Sequence, residues 1–193
     1  YMDGTTDITR TYPLGPLTED EKRFYTWTLQ SHIDLAKAVW LDYCECKMID
    51  TIAREPLWRH LINYRCGTGH SVSFVGNVHE GPDALNSRNT TRMRPGMVVT
   101  DEPGVYETDL VGIRIENELV CVHKADNQYG TFLRFEPLMF VPIATSPILP
   151  GVLDKDEIAW LNDYHRPVFA KLAPHLNDEE RSWLAEKCAA IGC

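Results

Sequence analysis

No apolar run in the chain approaches the roughly eighteen residues needed to cross a bilayer, and no signal peptide opens it, so the expectation is a soluble protein with no membrane partner. It also lacks a basic cluster. Nineteen Lys and Arg residues face 28 Asp and Glu, for a net charge of -9. Nothing is therefore available to displace counterions from a phosphate backbone, which sets nucleic-acid binding aside. Paired CxxC spacing is missing too. The six cysteines, Cys44, Cys46, Cys66, Cys121, Cys188 and Cys193, are scattered in the way expected of a reducing compartment, which points to the cytoplasm. There is no internal repeat and no low-complexity tract. What is present is an ordinary globular composition over 193 residues, long enough for one good core or two small ones, with an acidic surplus suited to holding cations.

The order of textures predicts an α+β domain. "YMDGTTDITRTYPLG" is β-prone with turn residues at Asp3 and Gly4, which predicts a hairpin. Thr18 with Glu21 forms a capping box for a helix carrying Phe24, Thr28, Leu35 and Val39, and a second helical stretch over about 47–60 is expected to break at Pro56. From about 62 to 125, Gly, Thr, Val and Ile with turns at "EGPDA", "RPGM" and "EPGVY" read as strands. Pro-punctuated extended chain follows Gly130. Asp154 then caps a helix through Ile158, Leu161 and Tyr164, with Pro167 kinking it or starting another. Asn177 with Glu180 caps a last helix with Trp183, Leu184 and Cys188 on one side.

One strand poses a question. In "GIRIENELV", residues 112 to 120, alternation places Ile113, Ile115 and Leu119 on one face and Arg114, Glu116 and Glu118 on the other. A half-solvated antiparallel strand carries charge in this way, and so does a strand facing a reaction centre. Asp7, His70, His79 and Glu102 likewise stand in apolar or glycine-rich surroundings. Singly, each has an ordinary explanation: a strand-end aspartate, a satisfied core histidine, a turn residue, a glutamate ahead of Pro-Gly. Together they make a hard-oxygen set with imidazole, which suits Mn²⁺, Co²⁺, Fe²⁺ or Zn²⁺.

The stretches "DGTTDITRT", "GTGH", "NVHEGP", "EPGVYE", "GIRIENELV" and "FLRFEPL", with the tail "WLNDYH", resemble the M24 pita-bread metallopeptidases, and within them the cytosolic Xaa-Pro aminopeptidases. The resemblance implies a pita-bread (creatinase/aminopeptidase) fold over residues 1–135, incomplete in its N-terminal half, with a C-terminal extension of aminopeptidase P type over 136–193. It implies two divalent cations, Mn²⁺ first with Co²⁺ or Zn²⁺ as alternatives, and a ligand set of two aspartates, a histidine and two glutamates. Asp7 matches the second aspartate, His70 the histidine, and Glu102 and Glu116 the glutamates. Glu102 also matches the general base or proton carrier, His79 a substrate-contacting histidine that helps move protons, and Arg114 an arginine that orients the carboxylates. The implied activity releases the first residue from peptides whose second residue is proline.

Departures matter as well. The family's first ligand aspartate falls ahead of Tyr1, so the resemblance implies a C-terminal piece of a larger enzyme, with its N-terminal half as a missing companion and little or no turnover by itself. A homodimer through the C-terminal extension is implied too. Ser71 and Ser73 stand where glycines are commoner, Cys66 where a histidine is common, and Glu118, where an apolar residue is usual, receives no role. The rival readings are a non-catalytic pita-bread module that binds protein partners, and a prolidase acting on X-Pro dipeptides.

Overall fold

The computed structural model describes residues 3–192. Tyr1, Met2 and Cys193, which enter the readings of the N-terminal hairpin and of the cysteines, lie outside them. Thr18, Asp154 and Asn177 each accept from the backbone N–H three residues on, while Glu21, Glu157 and Glu180 reach back to the cap. These three boxes start helices α1 (Glu19–Ala36), α3 (Lys155–Leu172) and α4 (Asp178–Lys187) where the sequence places them.

Neither proline breaks its helix. α2 runs Cys46–Trp58 through Pro56, and α3 is continuous through Pro167. A helical proline removes its own N–H bond and crowds the carbonyl four residues back, and α2 ends two residues beyond Pro56, so the disturbance there is confined to the end of the helix. The last helix also differs from its expected face: Leu184 is buried, whereas Trp183 is exposed and lies under the Lys187 ammonium.

Eight strands follow in chain order: β1 (Val39–Leu41), β2 (Gly69–Ser71), β3 (Glu80–Leu85), β4 (Val98–Asp101), β5 (Gly104–Glu107), β6 (Val111–Arg114), β7 (Asn117–Asn127) and β8 (Gly130–Pro137). Six of them form an antiparallel sheet in the order β1-β8-β7-β4-β2-β3, and β5 and β6 form a separate two-stranded ribbon. Val39, assigned by periodicity to the first helix, instead opens β1, and "FLRFEP" is not loose extended chain but β8, the partner of β7.

"GIRIENELV" is not one strand. β6 ends at Arg114 and β7 begins at Asn117, because the Glu116 N–H leaves the ladder and donates to Thr9 O at 3.0 Å. The expected N-terminal hairpin is also absent among the described residues: 5–11 form an extended arm with no ladder of its own, held to the body mainly by side chains.

α1 serves two cores. Leu35 and Ala36 join Ile49 and Ala53 of α2 over Leu85, Val99, Leu119, Cys121, Leu133 and Phe135 of the sheet. Tyr25, Leu29 and Ile33 meet Ile113, Ile115 and Ile143 together with Leu161, Tyr164 and Val168 of α3. The C-terminal segment thus shares its core with α1. Since Leu119 and Cys121 point into the helix side, Glu118 and Val120 alternate to the other face of the sheet. No helix among the described residues is long and apolar enough to cross a membrane.

Candidate metal centre

Four segments bring polar side chains to the face of the sheet opposite α2. The arm carries Asp7, β2 carries His70, the end of β4 leads into Glu102, and the break between β6 and β7 presents Glu116. Asp7, His70 and Glu116 each offer a ligand atom, and these atoms all lie within 4.8 Å of one another. His70 Nε2 is 3.5 Å from Asp7 Oδ2 and 3.1 Å from Glu102 Oε1. The His79 ring stands edge-on to that of His70, centroids 4.1 Å apart, on the exposed loop between β2 and β3. All five residues singled out in the sequence therefore converge.

His70, Glu102 and Glu116 are each held by traceable contacts. Gly69 lets β2 close on β4: a Cβ there would lie 1.8 Å from Thr100 O. The Thr100 hydroxyl accepts from His70 N at 3.0 Å and donates to Glu102 Oε1 at 3.0 Å. Arg114 is ion-paired with Glu102, while its Nε donates to Tyr106 Oη at 2.8 Å and its Nη2 to Cys66 Sγ at 3.6 Å. It therefore grips Glu102 directly, rather than the neighbouring Glu116. Glu116, 2% exposed, accepts from the Thr9 hydroxyl. Burial pushes its carboxyl above the usual carboxylate range, the Thr9 bond draws it back, and facing Asp7 raises it further.

Beneath these carboxylates lies a polar node that sequence reasoning missed. The Arg10 guanidinium donates to Asn117 Oδ1 (2.7 Å), Tyr164 Oη (2.8 Å) and Val141 O (2.8 Å), and also to Glu116 O. Asn117 Nδ2 lies 3.2 Å from Nε2 of the fully buried His32. His32 Nδ1 stands 3.1 Å from Asp101 Oδ2, off the axis of a proper hydrogen bond. Burial raises the Asp101 carboxyl, and His32 partly offsets that rise. Asp101 precedes Glu102 and Asn117 follows Glu116, so the node fastens the segments that carry both glutamates. A lone arginine in "ITRT" and a lone histidine within a helix give little local sign of this.

Chemically, the site crowds three carboxylates and an imidazole at a half-buried face, with Arg114 as the fixed countercharge beside them. Like charges at this spacing are relieved by a proton or by a cation, and an oxygen-rich donor set with one imidazole fits a hard or borderline divalent ion.

Comparison with known proteins agrees with that chemistry. The model of metallopeptidase family M24 matches residues 1–123, and that of the C-terminal region of peptidase M24 matches residues 131–191. Aminopeptidase P1 of Lotus japonicus is 40% identical over 198 residues, which cover 100% of this chain and 30% of the relative. The solved X-prolyl aminopeptidase of Caenorhabditis elegans, described as a cytosolic enzyme with a di-nuclear active site, superposes with a TM-score of 0.92 at 38% identity, covering 98% of this chain and 32% of that one. A prolidase from Pyrococcus furiosus gives 0.59 at 27% identity over 70% of this chain and 37% of its own. The chain thus spans about a third of the length of the relatives it matches.

Proposed function

The chain belongs to metallopeptidase family M24, and on that footing we propose that it carries most of the metal shell of an Xaa-Pro aminopeptidase, which removes the first residue from peptides with proline in second position. The observation that carries this reading is the convergence of Asp7, His70, Glu102 and Glu116 on one face of the sheet from four separate segments. A match extending over the C-terminal region, and the much closer superposition on the aminopeptidase, favour it over a dipeptide-cleaving prolidase.

In this reading Asp7, His70, Glu102 and Glu116 hold two divalent cations, Mn²⁺ before Co²⁺ or Zn²⁺. When bound, the cations supply Lewis-acid polarisation of the scissile carbonyl and lower the pKa of the attacking water. Glu102, gripped by Arg114 and Thr100, takes up a proton and passes it on. His79, beside His70 at the exposed rim, donates a hydrogen bond toward the carbonyl oxygen as charge develops there. Arg114 keeps Glu102 aimed and balances its charge. The C-terminal unit beginning near residue 136 braces the centre through Tyr164 and carries a homodimer contact, and the protein works in the cytoplasm.

Two measurements test the reading. Calorimetric titration with Mn²⁺ shows binding that weakens at least about tenfold in Glu116→Ala; equal binding in both proteins favours a non-catalytic module. The chain extended to the length of its relatives releases the first residue of an X-Pro-X peptide in the presence of Mn²⁺, and an intact fold without turnover counts against a peptidase.

A further inference from the structure

The arm that bears Asp7 is fastened unevenly. Thr9 O accepts from Glu116 N, the Thr11 hydroxyl donates to Arg114 O at 2.8 Å and accepts from Arg114 N at 3.1 Å, and Arg10 is held by several carbonyls. Among the described residues these bonds run out ahead of Asp7. At Asp7 itself the backbone N–H is taken by a side chain from across the sheet, Glu118 Oε1, at 2.7 Å. Glu118 is 4% exposed and sits within the paired part of β7, opposite Thr100 in the ladder, with its own carbonyl accepting from Leu138 N at 2.9 Å. Among the described residues, the Asp7 amide is the one hydrogen-bond partner of the Glu118 side chain.

A carboxyl sealed from water at a strand position costs stability unless it satisfies a specific partner, and here that partner is the amide of the residue facing His70 and Glu116. We propose that Glu118 is a positioning residue of the metal centre, fixing the Asp7 carboxylate opposite His70 and Glu116 by holding the Asp7 backbone amide. The inference rests on the reading of Asp7 as a ligand. Its physical basis is preorganisation: an arm without a ladder lets Asp7 swing, and a ligand that must first be ordered binds its ion more weakly. Glu118 does this from outside the set of three residues whose ligand atoms cluster within 4.8 Å, with Oε1 already committed to the amide.

Glu118→Leu and Glu118→Gln separate the anchor from a mere charge, since Gln keeps an oxygen acceptor and Leu does not. In the metal-free protein, amide exchange at Asp7 followed by NMR speeds up at least about tenfold in the Leu variant and holds in the Gln variant. Mn²⁺ affinity falls about 10–100-fold with Leu and stays within about threefold of the parent with Gln. Should the Leu variant fail to fold, Glu118→Met supports the same comparison. Equal losses with Gln and Leu would mean that charge, not the anchor, matters, and an unchanged Leu variant would mean that Glu118 positions nothing; either overturns the proposal. Asp7→Ala is the control. If it leaves Mn²⁺ affinity intact, the metal reading fails, while amide exchange still reports on the anchor.

Discussion

Asn117 Nδ2 lies 3.2 Å from His32 Nε2, and both side chains are sealed from solvent. Asn117 Oδ1 meanwhile accepts from Arg10, so the amide is engaged at both ends. His32 Nδ1 also stands 3.1 Å from the buried Asp101 carboxyl. Replacing His32 by Leu strands the buried Asn117 amide donor and removes the imidazole beside an Asp101 carboxyl that already lacks a proper hydrogen bond, and such groups retain the full cost of lost hydration. The expected loss is about 3 kcal/mol in urea denaturation. His32→Gln, which keeps an acceptor for Asn117, costs distinctly less. Equal losses would show that His32 acts by volume alone.

The close approach of β2 to β4 yields a sharper expectation. A methyl group on Gly69 would lie 1.8 Å from Thr100 O, which is backbone in the middle of the sheet and cannot step aside. Gly69→Ala forces the strands apart at the residue before His70. It is expected to lose at least about 3 kcal/mol of stability, with His70 moved off Thr100 and Mn²⁺ binding weakened in whatever folds. Gly96→Ala, where the added Cβ meets nothing but φ is +92°, is the comparison and costs less.

What the sequence disclosed and what it hid differ in range. The three helix starts are written within four residues each, as Thr18 with Glu21, Asp154 with Glu157 and Asn177 with Glu180, and they are legible because a capping box is a local bargain between neighbours. The residues that come together in the candidate site were singled out through the motif resemblance; their isolated chemistry left ordinary alternatives standing. The break at Ile115 and Glu116 was invisible because alternation describes a strand's faces and says nothing about a competing acceptor 107 residues away at Thr9. Arg10, His32 and Glu118 were missed for the same reason. Their partners, Asn117, Asp101 and the Asp7 amide, are distant in sequence, and an isolated charge in a β-prone or helical stretch looks like a wet face until the partner is placed.

The crowding of Asp7 and Glu116 gives the metal a measurable effect on folding. An ion that binds only the folded chain stabilises it by about 2.7 kcal/mol at a free concentration one hundred times its dissociation constant. Mn²⁺ is expected to raise the thermal midpoint in a concentration-dependent way, and EDTA to reverse the rise. In Glu116→Ala the metal-free protein is no less stable in proportion to the loss of the metal effect, because removing a buried carboxylate beside Asp7 also relieves repulsion. A midpoint that ignores Mn²⁺ in the parent protein would remove the case for a cation at this site.

His165 provides a pH dependence separable from the metal centre. It is 1% exposed, its Nε2 accepts from Ile143 N at 3.1 Å, and burial, the largest cause, pushes its pKa down to about 4, with the nearby Arg10 charge acting in the same direction. In the unfolded chain an ordinary histidine titrates near about 6.5. Between those values the unfolded state binds the proton and the folded state refuses it, so stability is fully present above about pH 6.5 and falls as pH drops toward 4. The shift corresponds to at most about 3 kcal/mol across that window. Glu116, Glu118 and Asp101 work the other way: burial raises their carboxyls, which favours the folded state at low pH and is lost as pH rises through their raised values. The raw profile therefore mixes both signs, and the difference between the parent and His165→Gln isolates the histidine. Urea denaturation at intervals from pH 7 to pH 4 is expected to show the variant losing less stability on acidification than the parent, whatever its stability at pH 7. Parallel profiles would mean that His165 takes up its proton in the fold as readily as in water.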